Sequence, residues 1–163
     1  MSRARLTRGR GVETAAADPS SPDARRCLEQ YFAELAARFS AGFDRGRDGA
    51  GDLRDLAPPA GCLLIARLAG EPAGCAGLRA LEPGVGEIKR MWVAPEARGR
   101  GIGRRLLCEL EELARQRGMH ALRLDTNESL SEALQLYRSS GYREIARFND
   151  NPYAHHWFEK ILS

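Results

Sequence analysis

At 163 residues, of which 43% are hydrophobic and 29% charged, the chain has the size and composition of one globular domain, and no repeat or low-complexity run divides it. A formal charge of +3 without an aromatic-interleaved basic stripe argues against nucleic acid as a partner, and no apolar run reaches the length of a membrane span. Cys27, Cys62, Cys75 and Cys108 form no Cys-x-x-Cys pair, and His120, His155 and His156 stand at no metal-ligand spacing. Reduced packing thiols, no metal and a cytoplasmic home are therefore expected.

Residues 1–10 are rich in arginine and lack the apolar stretch of a signal peptide, so a flexible basic end is expected there and a folded domain over 11–163. Gly11 to Ala16 reads as a short strand. The serines before Pro22 suit a helix start, and Leu28, Tyr31, Phe32, Leu35, Ala36 and Phe39 recur at three- and four-residue steps to about Ser40. That pattern turns Arg25, Arg26, Glu29, Glu34 and Arg38 toward water. From Ala41 to Gly61 the composition shifts to Gly, Asp, Arg and Pro, which predicts a loop with one helical piece around Leu53 to Leu56, placed to cap a pocket. Cys62–Leu68 and Ala73–Leu81 flank a hairpin, and Glu82 to Gly86 turns the chain into a strand over Glu87–Val93. These strands form an antiparallel meander.

A second helix begins after a glycine turn and buries Ile102, Leu106, Leu107, Leu110, Leu113 and Ala114, with Glu109, Glu111, Glu112, Arg115 and Arg117 outward and Gly118 as its stop. Ala121 to Thr126 is a strand. Strand, helix and strand make a right-handed crossover with the strands parallel. A third helix over Ser129–Ser140 carries Leu130, Ala133, Leu134 and Tyr137 on its apolar side and ends at Gly141. Tyr142–Phe148 and His156–Leu162 read as the last strands, joined through Asn149–Tyr153. An exposed final strand would offer an edge for a homodimer. The fold class is mixed α/β.

The glycine turn carries the chemistry. Gly99, Gly101 and Gly103 let the backbone approach a ligand closely, and the following helix points unpaired N–H groups at the turn, which makes an anion cradle. A nucleotide-hydrolase loop would end in Gly-Lys-Ser/Thr, whereas Gly103 is followed by Arg104 and Arg105. In a dinucleotide fingerprint the third glycine would lie one position later and the turn would follow its strand directly, although Asp125 stands near the place of that site's acid.

The remaining pattern is Arg98-Gly-Arg-Gly101-Ile-Gly103, and with it the sequence resembles the GCN5-related N-acetyltransferase family. The resemblance runs from about Glu13 to the C-terminus. It includes Met91-Trp-Val93-Ala-Pro, the helix ending at Gly118, Asp125-Thr-Asn, Ala133-Leu-Gln-Leu-Tyr137-Arg-Ser-Ser-Gly141-Tyr and a closing aromatic strand.

What the resemblance implies is an N-acetyltransferase acting on a primary amine by direct attack, with acetyl-CoA as co-substrate. Backbone N–H groups of Arg98, Gly99, Arg100, Gly101, Ile102, Gly103 and Arg104 would hold the pyrophosphate, with Arg98, Arg100, Arg104 and Arg105 adding charge. A bulge in the preceding strand would splay it from its parallel neighbour and open a V-shaped cleft for the pantetheine arm, which Met91 and Val93 would contact. The Met91 N–H would meet the acetyl carbonyl, whose oxygen becomes negative in the tetrahedral intermediate. An ammonium with a pKa near 10.4 must lose a proton before attack, and Glu87 matches the family's base; the alternative is a solvated carboxylate paired with Lys89 or an arginine. Tyr137 matches the family's acid for the departing thiolate, against the reading of a core tyrosine. Leu130 stands where the family often has asparagine. Asn127 is then a candidate for the pantetheine amides or a helix cap. Asn151 and Tyr153 fall where family members place substrate-side loops. The acceptor itself, a small molecule or a protein lysine, has no readable motif, and a non-catalytic acyl-CoA-binding module is the competing reading.

Overall fold

The computed structural model describes residues 11–40, 42–44 and 53–163. The expected basic end and most of the expected Gly/Asp/Arg loop lie outside the described residues. The strands are β1 (Val12–Ala16), β2 (Gly61–Leu68), β3 (Glu71–Glu82), β4 (Val85–Val93), β5 (Ala121–Thr126), β6 (Arg143–Glu144) and β7 (His156–Ile161), and the helices are α1 (Pro22–Arg38), α2 (Ile102–Gln116) and α3 (Ser131–Ser139). All seven strands form one sheet in the order β1-β2-β3-β4-β5-β7-β6. Neighbours are antiparallel except β4 and β5. The mixed α/β class, the meander and the crossover are as the sequence predicts, and the short helical piece over Leu53–Leu56 is a 3₁₀ turn.

Local chemistry sets the helix ends. Ser21 caps α1 by accepting from the Ala24 N–H, and Pro22 occupies the first turn, where a missing N–H costs nothing. In α2, Leu106, Leu107, Leu110 and Ala114 are fully buried. Each such leucine contributes roughly 1.5–3 kcal/mol. Both α1 and α2 pack on β3 and β4, around Leu28, Leu78, Trp92, Ile102 and Phe158.

Several elements depart from expectation. Glu111, expected outward, is buried on α2, where it accepts from Tyr142 Oη at 3.2 Å and pairs with Lys160 Nζ at 2.7 Å. Ala36 is exposed and Glu34 half-buried, because α1 rolls its seam toward Ala24, Cys27 and Leu28. The run Tyr142–Phe148 supplies only the two-residue β6. In the connection that follows, Asn149 and Asn151 side chains accept from the Asn151 and Tyr153 N–H groups at 3.2 and 3.0 Å, local bonds of the expected turn. The final strand is also no free edge, since β7 lies between β5 and β6 and the expected homodimer surface is not offered along its whole length.

Two irregularities open the sheet. The β3–β4 register passes from Cys75 opposite Trp92 to Gly77 opposite Lys89, so β4 carries one extra residue at Arg90–Met91. Arg90 takes φ +56, the left-handed region. On the other side β4 pairs with its parallel neighbour β5 at Val85/Ala121, Gly86/Leu122 and Glu87/Arg123, and the two strands have parted before the bulge is reached. The expected bulge and V-shaped opening are both present.

Candidate active site

The opening holds two adjoining hollows. One, a channel of about 1010 Å³ including its mouth, is lined by Met91, Val93, Arg98, Gly99, Gly101, Ile102, Gly103 and Arg104 together with residues of α1 and α3. The other, about 630 Å³ on the same measure, is lined by Lys89, Arg90, Met91, Asp125, Asn127, Tyr137, Asn151 and Tyr153 among others. Tyr31, Leu35, Met91, Leu130 and Ala133 line both. The hollows therefore meet at the bulge.

The channel's floor is the glycine turn. Gly99 and Gly101 take φ +80 and +79, and a Cβ built at either would meet nothing within 4 Å, which is open space for a ligand. Gly101 caps α2, so the next N–H groups have no helical carbonyl behind them and the positive end of the helix faces the channel. At Gly103 a Cβ would fall 2.8 Å from Leu136 Cδ2 and 3.6 Å from Met91 Cε, so glycine keeps the passage wide. A phosphate-bearing thioester fits these features. Arg100 is exposed and outside the lining set.

The arginines around the turn divide their work. Arg98 donates from Nη2 to both oxygens of Glu34 at 2.6 and 2.8 Å and from Nε to the Val93 carbonyl at 3.0 Å. Arg105 donates to the Val12 carbonyl at 3.0 Å and reaches Glu109 at 3.5 Å. These two side chains brace the fold, and Arg98 also lines the channel. Arg104 is exposed and donates to Ser139 Oγ at 3.0 Å. At the channel rim Arg38 bonds Glu132 through two nitrogens at 2.9 and 3.0 Å and holds its carboxyl down to about 2.

Glu87, the candidate base, is 1% exposed and lines neither hollow. Arg79 binds it at 2.8 Å and Lys89 stands 3.5 Å away. Both of its carboxylate oxygens are thus engaged by neighbours within the sheet. Lys89 is in turn 3.9 Å from Asp125, which does line the pocket and accepts from Asn149 Nδ2 at 2.5 Å and Asn151 Nδ2 at 3.0 Å. Trp157 Nε1 fixes Asn149 by donating to its Oδ1 at 2.9 Å. In sequence Asp125 stands one residue before the end of β5, at a carboxyl end where open α/β sheets place ligands.

Tyr137 is 4% exposed and lines the pocket. Burial, with Tyr31 and Asp125 nearby, pushes its phenol well above the ordinary range. Asn127 accepts from the Ser129 N–H at 2.8 Å and donates to the Tyr153 carbonyl at 2.7 Å, so its side chain is a turn lock on the pocket side and does not line the channel. His155 accepts from the Glu128 N–H and His156 pairs with Glu144, both outside the two hollows.

The family model for the acetyltransferase (GNAT) family matches residues 28–142. The IAA acetyltransferase of Azospirillum brasilense is 43% identical over 98 residues, 60% of this chain and 64% of that protein. N-alpha-acetyltransferase RimI of Mycobacterium tuberculosis is 39% identical over 126 residues, 76% of this chain and 74% of its own. The chain thus spans about 64% of the length of the first curated relatives it matches. Among solved structures, a Klebsiella pneumoniae protein assigned as an acyl-CoA N-acyltransferase superposes with TM-score 0.78 at 29% identity, over 95% of this chain and 100% of that one. A GNAT acetyltransferase from Elizabethkingia anophelis with acetyl-CoA bound shares the fold at TM-score 0.66 and 20% identity, over 93% of this chain and 99% of its own. Among the described residues no helix is long and apolar enough to cross a membrane. With the family model spanning the bulged strand, the glycine turn and the Tyr137 helix, the chain belongs to the acetyltransferase (GNAT) family.

Proposed function

We propose that the protein transfers the acetyl group of acetyl-CoA to the primary amine of a small molecule by direct attack. The observation that carries this reading is the meeting of channel and pocket at Met91, on a bulge that takes Arg90 and Met91 out of the β3–β4 register. Phosphates would rest on the N-terminus of α2, and the thioester would reach the pocket past Met91 and Val93, its carbonyl turned toward the Met91 N–H.

In the pocket, Asp125 takes the place first given to Glu87. Its carboxylate would draw the incoming ammonium and accept its proton, directly or through water. The neutral nitrogen attacks the carbonyl carbon, the carbon–sulfur bond breaks, and the sulfur leaves as a thiolate. Because burial holds Tyr137 in its protonated form, it would stabilise that thiolate by donating a hydrogen bond; full transfer is uphill from a phenol above 10 to a thiol near 8.5. Solvent completes the protonation of sulfur.

Relatives named for IAA and for N-alpha-acetylation differ in acceptor, so the pocket, not the family, decides it. Its aromatic wall supports a small molecule over a protein lysine. Thiol release from acetyl-CoA is the test: release dependent on an added amine is expected, and calorimetry showing no binding of acetyl-CoA up to millimolar concentration would overturn the reading.

A further inference from the structure

The pocket's lining is unequal in two respects, and both bear on the acceptor. The first is its aromatic side. Tyr31 comes from α1, Phe39 and Phe43 from the segment behind it, and Tyr153 from the loop before β7. Phe39 stacks on Tyr153 with centroids 5.7 Å apart at 26°, Phe43 meets Tyr153 at 4.9 Å, and Phe39 and Phe43 meet edge to face at 5.6 Å. This wall is tied together, because Tyr153 Oη accepts from the Asp44 N–H at 2.8 Å and the Tyr153 carbonyl accepts from Asn127 at 2.7 Å. Rings fixed in this way present flat apolar surface without a loss of rotamer freedom when a ligand binds. Ile88, Leu130 and Ala133 add further apolar lining, and Thr126, Asn127 and Asn151 add polar groups.

The second is charge. Asp125 is the carboxylate of the lining; Lys89 stands between it and Glu87 at 3.9 and 3.5 Å, and the Arg90 guanidinium lies over the Phe32 ring at 4.5 Å. One ammonium has a carboxylate to meet, and the ring faces add attraction for a cation. A second or third ammonium would meet like charge or lose its water against an apolar wall. Polyamines and aminoglycosides are disfavoured on this count.

We infer that the acceptor is a primary monoamine carried on a flat ring or an equally bulky apolar body, the ring lying on the Phe39–Phe43–Tyr153 wall and the nitrogen at Asp125. This rests on the acetyl-transfer reading above. The wall selects the body and the carboxylate selects the nitrogen.

Steady-state thiol release with acetyl-CoA tests it, using 2-phenylethylamine and tryptamine against spermidine, kanamycin and an alanine-initiated tetrapeptide. A kcat/KM for the ring amines about tenfold or more above the other three is expected. Phe39→Ala and Tyr153→Leu should each lower that value about tenfold, chiefly through the amine's KM, with the KM for acetyl-CoA unchanged as the sign of an intact fold. Phe43→Leu, a milder change, serves where either variant fails to fold. Preference for spermidine, kanamycin or the peptide would overturn the inference while leaving acetyl transfer standing. If acetyl-CoA binds but none of the amines accelerates thiol release, this inference falls while acetyl transfer to another amine stands; failure of acetyl-CoA to bind overturns both.

Discussion

Arg98 and Glu34 are joined by two short hydrogen bonds, 2.6 and 2.8 Å, and the same guanidinium holds the Val93 carbonyl at 3.0 Å. The arginine that opens the glycine signature is thus a clamp from the loop to α1, which fixes the channel's width. Arg98→Ala is expected to lower unfolding free energy by about 1–3 kcal/mol and to weaken CoA binding in proportion to the loosened wall. Arg98→Lys should recover little, because a point ammonium cannot reproduce the fork. Denaturant melts and calorimetry with CoA measure both; unchanged stability in Arg98→Ala would dismiss the clamp.

Glu87 and Asp125 separate structure from chemistry. Glu87→Gln leaves Arg79 and Lys89 buried with less opposing charge, a loss of about 3–5 kcal/mol at most, with the amine KM little changed in the protein that remains folded. Asp125→Asn should instead cost about 10²-fold in kcat/KM for the amine while CoA affinity stays the same. The reverse pattern would return the base to Glu87.

For Tyr137→Phe, kcat should fall about 10–100-fold, with the acetyl-CoA KM near that of the parent. Because the phenol is held above its ordinary range, no descending limb from Tyr137 should appear in the rate profile below pH 10. Parent-like turnover in Tyr137→Phe would reduce it to a core residue.

Tyr137 and Tyr142 together make stability sensitive to alkali. Burial raises both, and the Glu111 carboxylate beside Tyr142 raises it further. The folded chain therefore keeps protons that the unfolded chain releases near pH 10, so their contribution is full below that value and is lost as pH rises above it. Urea midpoints should hold level to about pH 10 and then fall, more gently in Tyr142→Phe.

Gly103→Ala tests the passage itself. A Cβ there pushes on the mobile tip of Leu136 and approaches Met91 and Val93 at 3.6 and 3.7 Å. Alanine favours the helix by up to about 1 kcal/mol, so stability should hold or rise while CoA affinity drops about tenfold. Equal CoA affinity in parent and variant would place the pantetheine arm elsewhere.

The strands, helices and crossover were legible because each rests on local period and punctuation: Ser21 and Pro22 before α1, the αL glycine at the head of α2, Gly118 behind it. The family resemblance located Met91, Val93 and the glycine turn at the channel. Side-chain partnerships were not legible, because they join residues far apart in sequence. Glu111 reads as a solvated helix carboxylate until Tyr142 and Lys160 are placed beside it. For Glu87, by contrast, the reading of a carboxylate paired with Lys89 or an arginine was legible from its strand, whereas the hold of Asn149 and Asn151 on Asp125 was not, because they come from a distant loop. The run Tyr142–Phe148 reads as strand from its branched and aromatic residues, yet only Arg143 and Glu144 pair as β6, with the Ile145 N–H still bonded to the Trp157 carbonyl; the turn expected over Asn149–Tyr153 is held by its asparagines.

Three residue pairs are all that join β4 to β5, so the sheet has a seam beside its centre. On one side the meander is a cooperative slab, and on the other β5, β7 and β6 form a smaller one. A thioester lying along the seam would touch both, acting as a removable rivet. Amide exchange should therefore slow on both sides when CoA is added, most at 88–93 and 124–127, and the free protein should breathe there first.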